Sequence, residues 1–414
     1  MLPRAVPPAR GDFIGKPAIP ALFAGALILS AGCRTLYDAT VTPRPLPRAR
    51  GLAVETLAEA LALPNEEIDV GRAALLAVRE DQPDLDVERY LRRLDDLGVR
   101  VRRRVATGTA VSDAVRELVS VVQPSGVQAG ELPRTGSTGP GLPPELDLAR
   151  ILDGGKGNCL GLGLLYLAVA ERVGLPIVGV SAPEHFFVRF DDGVTRLNIE
   201  PTRGGAAVSD RAYRDSRHVS PEAEERGIYL RSESKRQVLA SLIANKAGYR
   251  ALAGRLDDAL ADAERALAVK PYWPQGYVNR GLAHELAGRM REAEADYRNA
   301  LRYDPRCAGA LNNLASLYVR SGVDDKGARL GSLATAEWMS AKALRYSGRR
   351  PEYHETAAAV AVALGKLRSA RRQLACAVRL DPANPRYRRA LEDLEKRMPG
   401  RPLPADESTP ATAD

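Results

Sequence analysis

The chain has 414 residues, enough for two or three domains. Its formal net charge of +8 is spread along the sequence and is not gathered in a basic arm interleaved with aromatic residues, so the composition does not favour a nucleic-acid-binding protein. The four cysteines and four histidines show neither a disulfide framework nor the spacing of metal ligands, and no nucleotide-binding loop is present. We therefore expect no metal and no cofactor.

Residues 1–33 have the pattern of an export signal. Basic residues precede an apolar run over residues 21–29, which is shorter than the about 20 residues that span a bilayer. Small residues then precede Cys33 in a pattern similar to the bacterial lipobox, although leucine is usual where Ser30 stands. We expect lipidated Cys33 to anchor the protein to a membrane of the bacterial cell envelope, facing outside the cytoplasm. A signal that is uncleaved or conventionally cleaved is the alternative, and residues 34–51 are expected to form a tether.

Residues 52–122 predict a helical N-terminal region. Apolar residues recur there at three- and four-residue spacing, as on one face of an amphipathic helix. They include Val87, Tyr90, Leu91, Leu94, Leu97 and Val101. Residues 123–145 are rich in Gly, Pro, Ser and Thr, which predicts a linker.

A second region, residues 146–235, contains a long apolar run over residues 160–173. Because this run is apolar on nearly all sides, it predicts a buried helix, and Gly174 with the proline two residues later should end it. Cys159 directly precedes the run and follows Asn158. Its thiol should therefore lie at a helix N-terminus, where a thiolate is favoured.

A predicted hairpin follows, with strands over residues 184–190 and 194–200. If Asp192-Gly193 is a two-residue turn, His185 lies directly opposite Glu200, with their Cβ atoms about 5 Å apart. A one-residue slip would mix polar and apolar side chains, so the apolar pattern selects this register. One face then carries Phe186, Val188, Phe190, Leu197 and Ile199 with Thr195, and the other His185, Phe187, Arg189, Arg196, Asn198 and Glu200.

Together these residues have the types and placement of a cysteine nucleophile site. Cys159 would attack, His185 would accept its proton, and Glu200 would fix the imidazole tautomer. Asn198 is an alternative orienting residue on the same face. The Asn158 side chain, or backbone N–H groups near Cys159, would hold an oxyanion. The alternative for Cys159 is an ordinary core residue.

After residue 240 the sequence repeats with a period of 34 residues. Glycines at 254, 288 and 322, alanines at 259 and 293 and at 266 and 300, and prolines at 271 and 305 carry the period. This pattern is typical of tetratricopeptide repeats, which are pairs of antiparallel helices. We predict repeats at about 240–273, 274–307, 308–350 with an insertion near 324–329, and 351–384. A capping helix to residue 398 and a disordered tail, 399–414, would follow.

Residues 54–305 resemble the bacterial SirB-type transglutaminase-like family. The resemblance rests on the helical segment around Tyr90, on the passage from Gly157 to Phe187, and on the repeats that follow the core. It implies an α+β fold: a papain-like transglutaminase core, with a helix packed on an antiparallel sheet, preceded by a helical region and followed by an all-α tetratricopeptide solenoid. It also implies Cys159, His185 and Glu200 as the catalytic residues, with glutamate where aspartate is commoner.

Two features set the chain apart from that family. Many members lack the cysteine, often replaced by proline, whereas Cys159 is present here. Glycine usually precedes the histidine, but here the residue is Glu184, whose carboxylate is expected to crowd the site or alter the pKa of the imidazole.

Two functional hypotheses from different classes follow. The first is an envelope-anchored enzyme of amide or peptide hydrolysis or acyl transfer, whose repeats bind a protein or peptide. The second is a non-catalytic scaffold lipoprotein with an inert transglutaminase-like domain, in which the repeat groove binds the partner. Tyr277, Asn279, Asn312 and Asn313 are candidate groove residues, with repeat packing as their alternative role.

Overall fold

The structure is a computed structural model that describes residues 39–43, 51–123, 142–320 and 331–398. The predicted signal with Cys33, most of the tether, most of the linker, the predicted insertion and the predicted tail lie outside the described residues. In the part of the chain that is described, no helix has both the length and the apolar character needed to cross a bilayer.

Among the described residues, six α-helices precede the sheet, and the last of them is central. They are α1 (Leu57–Ala62), α2 (Val70–Arg79), α3 (Val87–Arg102), α4 (Val111–Val122), α5 (Leu148–Leu152) and α6 (Cys159–Val173). Every residue of α6 after Cys159 is buried. The helix ends at Gly174, whose φ of 83° lies in the left-handed region that favours glycine. The predicted buried helix, with Cys159 at its start, is confirmed.

One antiparallel sheet of five strands packs against α6. Its strands are β1 (Ile177–Ala182), β2 (His185–Asp191), β3 (Arg196–Glu200), β4 (Ala206–Ala207) and β5 (Ser232–Glu233), in the order β4-β3-β2-β1-β5. Phe186, Val188 and Ile199 face α6 and join the main apolar core. On the other face, Phe187 belongs to a second cluster with Tyr213, which lies on α7 (Asp210–Ser216) next to α8 (Pro221–Glu225). The expected α+β fold class is confirmed.

The predicted hairpin register is wrong by two residues. Asp191 pairs with Arg196, so the loop between β2 and β3 has four residues and not two. Oδ1 of Asp192 accepts hydrogen bonds from the N–H groups of Val194 (2.9 Å) and Thr195 (2.6 Å), which stabilise the longer loop. Because the error is an even number of residues, the strand side chains keep their predicted faces.

Four pairs of antiparallel helices and a single final helix complete the described chain. The pairs are α9 (Lys235–Leu252) with α10 (Leu256–Val269), α11 (Pro274–Leu286) with α12 (Met290–Tyr303), α13 (Ala308–Arg320) with α14 (Leu333–Ser347), and α15 (Pro351–Ala363) with α16 (Leu367–Leu380); α17 (Pro385–Lys396) follows. The periodic alanines 259, 266, 293 and 300 are fully buried between helices. Gly254 and Gly288 turn the chain between the helices with φ of 80° and 77°.

The first repeat and the sheet share one apolar core. Val238 and Ile243 on α9, and Trp273 just before α11, belong to the same buried cluster as Leu164 on α6 and Val188 on β2. A boundary between domains near residues 235–240 stays a prediction, and the apolar packing continues across it.

Two glycines hold the ring of Phe186, the neighbour of His185. A Cβ on Gly163 would lie 2.5 Å from Cε1 of Phe186, and a Cβ on Gly179 would lie 2.5 Å from its Cζ. We expect Gly163→Ala to displace this ring and to lower the free energy of unfolding by about 1–3 kcal/mol, measured by denaturant titration.

Gly309→Ala is the matched control for this prediction. Gly309 lies inside α13, and a Cβ there would meet Val278 at an ordinary distance of 3.5 Å. The added methyl should stabilise the helix by about 0.5–1 kcal/mol. A Gly163→Ala variant as stable as the unsubstituted protein would contradict the proposed packing of Phe186.

Candidate active site

The N-terminus of α6 is built by a cap and by close backbone packing. Oδ1 of Asn158 accepts hydrogen bonds from the N–H groups of Leu160 (3.0 Å) and Gly161 (2.9 Å), as an N-cap residue does. A Cβ on Gly161 would lie 2.2 Å from the carbonyl oxygen of Glu145, so only glycine fits there. These contacts fix Cys159 as the first residue of the helix.

His185 begins β2, and its imidazole lines the same cavity as the Cys159 thiol, near enough for each group to influence the charge of the other. Burial on its own would raise the pKa of that thiol, but the hydrogen bond and charge of His185, with the N–H of Phe186, outweigh burial and lower it. Burial likewise opposes the charged imidazole, but Cys159 and Glu200 outweigh it, and the pKa of His185 is raised. The lowered pKa of the thiol and the raised pKa of the imidazole both favour a thiolate–imidazolium pair.

Glu200, the last residue of β3, holds the other side of the imidazole. Its Oε2 lies 2.6 Å from Nε2 of His185 and accepts a hydrogen bond from the hydroxyl of Tyr213 at 2.8 Å. Its Oε1 accepts bonds from the N–H (3.0 Å) and the hydroxyl (2.5 Å) of Thr202. Although burial opposes the charged carboxylate, these donors, led by His185, lower the pKa of Glu200 to about 2.

The proton positions follow from this chain of contacts. Since the Glu200 carboxylate is ionised, Nε2 of His185 must be the donor in their hydrogen bond. Nδ1 is then the nitrogen that can accept the proton of the Cys159 thiol. The side chains of His185 and Glu200 are only 5% and 3% exposed, so water competes little for these bonds.

The corrected register changes how His185 and Glu200 meet, but not whether they meet. When the observed pairing is extended to the end of β3, the position opposite Glu200 is that of Phe187. His185 is therefore a diagonal neighbour of Glu200, and the length of the glutamate side chain spans the offset.

The structure does not bring Asn198 to the imidazole. Its Oδ1 accepts a hydrogen bond from Nε of Arg189 at 2.6 Å, and its amide donates to the carbonyl of Val208 (2.8 Å) and to Asp210 (2.7 Å). Asn198 therefore ties β3 to the start of α7 and is not the orienting residue.

Two residues that hold Glu200 were not identified from the sequence. Tyr213 donates to the carboxylate from α7, and its ring stacks on Phe187 with centroids 4.0 Å apart. Thr202 donates from the turn just after β3. Of the two, only Thr202 could have been found from the sequence, because the N–H two residues after an acidic residue often donates to its side chain in a turn.

Glu184 takes an unusual backbone conformation and reaches away from the imidazole. Its φ of 51° lies in the left-handed region, which favours glycine. Glycine is also the usual residue at this position in the family that the sequence resembles. Its carboxylate accepts hydrogen bonds from the hydroxyls of Ser347 (2.5 Å) and Tyr353 (2.6 Å) and lies 3.5 Å from Nε of Arg350. Burial opposes ionisation, but Arg350 and the two hydroxyls outweigh it and lower the pKa of Glu184. The carboxylate thus joins the β1–β2 turn to the third and fourth repeats.

Removing the charge of Glu184 should weaken this junction. We expect Glu184→Gln to lower the free energy of unfolding by about 1–3 kcal/mol, because Arg350 loses a partly buried counter-ion. The measurement is denaturant titration at neutral pH. Glu337→Gln removes a carboxylate from a more exposed pair with Lys366 and should cost about 0–1 kcal/mol. Equal losses in the two variants would contradict an anchoring role for Glu184.

A cavity of about 110 Å³ opens beside Cys159 and His185. Its walls come from the core and from the repeats alike. The residues contributed by the repeats are Ser241, Asn245, Trp273, Gln275 and Arg350. The repeats therefore shape the surroundings of the thiol directly.

The other described cysteines have different surroundings. Cys307 is buried, and that burial, with the nearby charge of Asp304, raises the pKa of its thiol far above the usual range. Cys376 is partly buried on α16, where Nη2 of Arg379 lies 3.5 Å from its sulfur. Of the three cysteines in the described ranges, only Cys159 has a histidine–carboxylate pair beside it.

Comparison with known proteins agrees with this architecture. Residues 88–244 match the family described as "Transglutaminase-like superfamily". A UPF0162 protein of Xylella fastidiosa is 31% identical over 165 residues, which are 38% of this chain and 58% of that protein. A UPF0162 protein of Pseudomonas aeruginosa is 26% identical over 63% of this chain and 90% of its own length. The chain thus spans less than two thirds of the Xylella relative.

A TPR protein of Thermus thermophilus is similar in structure over 39% of this chain and 90% of its own, with 19% identity and a TM-score of 0.33. From the sequence match, the fold and the periodic helix pairs, residues 88–244 form a transglutaminase-like domain. The chain combines this domain with a C-terminal array of tetratricopeptide repeats.

Proposed function

We propose that the protein is a cysteine-dependent enzyme that cleaves or transfers acyl groups at amide bonds through Cys159. The observation that carries the proposal is the grouping of a partly buried thiol, an imidazole and a carboxylate at Cys159, His185 and Glu200, in which the pKa of the thiol is lowered. A plain core cysteine in such a setting has a raised thiol pKa, as Cys307 has.

The geometry supports a two-step reaction. The thiolate of Cys159 attacks the amide carbonyl, and the imidazolium of His185 protonates the departing amine, leaving a thioester. Water or a second amine then attacks the thioester, with His185 now accepting a proton, and the thiolate is restored. Glu200 keeps the imidazole in the required tautomer throughout.

The oxyanion of each tetrahedral intermediate needs a hydrogen-bond donor. Because the N–H groups of Leu160 and Gly161 already bond to Asn158, the N–H of Cys159 is the donor that remains in this turn of α6. Asn158 would then act indirectly, by fixing the helix end at which the oxyanion forms.

Selective alkylation tests the nucleophile. At pH 6.5 an ordinary thiol is about 1% ionised, so an activated Cys159 should react with iodoacetamide about 10–100-fold faster than Cys307 or Cys376. Mass spectrometry of the labelled peptides gives the three rates, and Cys159→Ala should abolish the fast reaction. A Cys159 that reacts no faster than the other two would remove the main support for an enzyme.

A non-catalytic role for the repeats in binding a peptide or protein is the second candidate. Its support is the exposed aromatic surface near the second repeat, where Tyr272 is 62% exposed and its ring lies 5.4 Å from that of Tyr303. Asn279 is a poorer groove candidate, because its amide donates to the carbonyl of Ala244 at 2.6 Å and packs neighbouring helices together.

We also propose that Cys33 is lipidated and anchors the protein in the cell envelope, on the support of its lipobox-like sequence. Cys33→Ser should then release the protein from the membrane fraction on cell breakage. Unchanged attachment in that variant would contradict the anchor.

A further inference from the structure

A second cavity, of about 220 Å³, adjoins the cavity at Cys159 and shares Glu184, Tyr229 and Gln275 with it. Its most notable feature is a group of four arginines and one histidine from two parts of the fold. Arg217 and His218 come from the segment after α7, whereas Arg306, Arg345 and Arg349 come from the repeats. We call these five residues the arginine cluster.

Three of the four guanidinium groups of the arginine cluster have no ion-pair partner in the described part of the chain. Among the residues that the structure describes, Arg217, Arg345 and Arg349 have no side-chain hydrogen bond or ion pair. Arg306 donates to a backbone carbonyl, that of Val219, at 3.1 Å.

The two carboxylates in the cavity wall are already occupied. Glu184 is bound by Ser347, Tyr353 and Arg350. Asp304 accepts hydrogen bonds from the hydroxyl of Tyr229 (3.2 Å) and from the N–H of Arg306 (3.0 Å). With four arginines and two carboxylates, the cavity wall keeps a net positive charge.

Four arginines in one concavity repel one another, and an anionic ligand would relieve that repulsion. Guanidinium groups bind carboxylates and phosphates through paired hydrogen bonds, so the ligand should carry one of these groups. The cluster also lies near the reacting residues, since its cavity shares Glu184, the residue before His185, with the cavity at Cys159. Its ligand should therefore extend to Cys159.

We propose that the arginine cluster binds the carboxylates of an acidic peptide and so places a neighbouring amide of that peptide at Cys159. This assignment rests on the proposed amide chemistry, because a peptide with acidic side chains offers both an amide for Cys159 and carboxylates for the arginines. The cavity is concave and small, which disfavours a nucleic-acid duplex, a ligand that needs an extended basic surface.

The test is peptide binding to the full-length Cys159→Ala protein, followed by fluorescence anisotropy. A glutamate-rich fluorescent peptide should bind at least about 10-fold more tightly than its glutamine counterpart, with affinity that falls as salt rises. The double variant Arg345→Gln/Arg349→Gln should lose at least about 10-fold in affinity for the acidic peptide. Both positions are exposed, so the fold should tolerate the change.

The matched control is Arg368→Gln/Arg372→Gln, which removes the same charge from exposed positions on α16. It should bind the acidic peptide as tightly as the parent protein. Equal binding of the acidic and neutral peptides, or equal affinities of the two double variants, would overturn the proposal. Tight binding of a phosphorylated peptide or of inorganic phosphate, without binding of the glutamate peptide, would overturn it in favour of a phosphate site.

A second measurement separates this inference from the proposed function. In the protein that retains Cys159, the acidic peptide should slow alkylation of the thiol, and Arg345→Gln/Arg349→Gln should abolish that protection. If Cys159 is not activated, the alkylation experiment fails while the anisotropy experiment still decides the role of the cluster. If the peptide binds without protecting Cys159, its placement at the thiol is wrong.

Discussion

Replacing His185 with alanine should slow the alkylation of Cys159 at pH 6.5 by about 100-fold. The substitution removes the hydrogen bond and the charge that lower the pKa of the thiol, whereas the burial that raises this pKa remains. The thiol would then resemble that of Cys307, whose pKa is raised by burial. The measurement is the rate of adduct formation between pH 5 and 9, followed for the Cys159 peptide by mass spectrometry.

The shape of the pH profile matters as much as the rate. With His185 present, the rate should rise at the lowered pKa of the thiol and stay level through neutral pH. In the alanine variant the rise should move to alkaline pH. His354→Ala, which removes a histidine that bonds to Gln373 in the fourth repeat, is the control and should leave the profile unchanged. An unchanged profile in His185→Ala would show that the imidazole does not activate the thiol.

The largest loss of stability is expected for Asp81→Asn. The Asp81 carboxylate is fully buried and joins the N-terminal helices to the first repeat, with Arg250 at 2.7 Å, Arg255 at 2.6 Å and Lys246 at 3.3 Å. Lys246 is itself fully buried. Because these cations would lose a shared counter-ion, we expect the free energy of unfolding at pH 7 to fall by about 3–5 kcal/mol.

The same contacts give the stability a predictable dependence on pH. Burial opposes the ionised form of Asp81, but its cationic partners outweigh burial and lower the pKa of the carboxyl in the folded protein. Its contribution is therefore complete above the unfolded-state value of about 3.9 and is lost as the pH falls towards the folded pKa. The difference between the parent protein and Asp81→Asn should accordingly shrink below about pH 4.

Asp258→Asn is the matched control, because Asp258 pairs with the same Arg255 at 2.8 Å but is 51% exposed. It should cost about 0–1 kcal/mol in denaturant titrations at pH 7. A loss for Asp81→Asn no greater than that of the control would contradict the structural role of the buried carboxylate.

The parts of the fold that the sequence predicted are those encoded by local pattern. The apolar run after Cys159, ended by Gly174, defines a buried helix whatever it packs against. The 34-residue period defines helix pairs, since glycine turns and buried alanines recur within each pair. The faces of β2 and β3 followed from the alternation of their side chains, which is unaffected by a two-residue error in register.

The features that the sequence could not predict depend either on competition between alternative turns or on contacts between residues far apart in the chain. The Asp192-Gly193 pair favours a two-residue turn, but the hydrogen bonds that Asp192 makes to Val194 and Thr195 favour a longer loop. The partners of Glu184 lie more than 160 residues further along the chain. No local pattern connects positions so far apart, so Glu184 was expected to disturb the site when its carboxylate in fact binds the repeats.

The apolar core that runs from α6 through the sheet into α9 limits how this molecule can be divided. A fragment that stopped before Lys235 would expose the surfaces that Val238 and Ile243 now cover, and it should aggregate instead of folding. Exchanging the repeats for those of another protein would therefore require α9 to stay with its present neighbours.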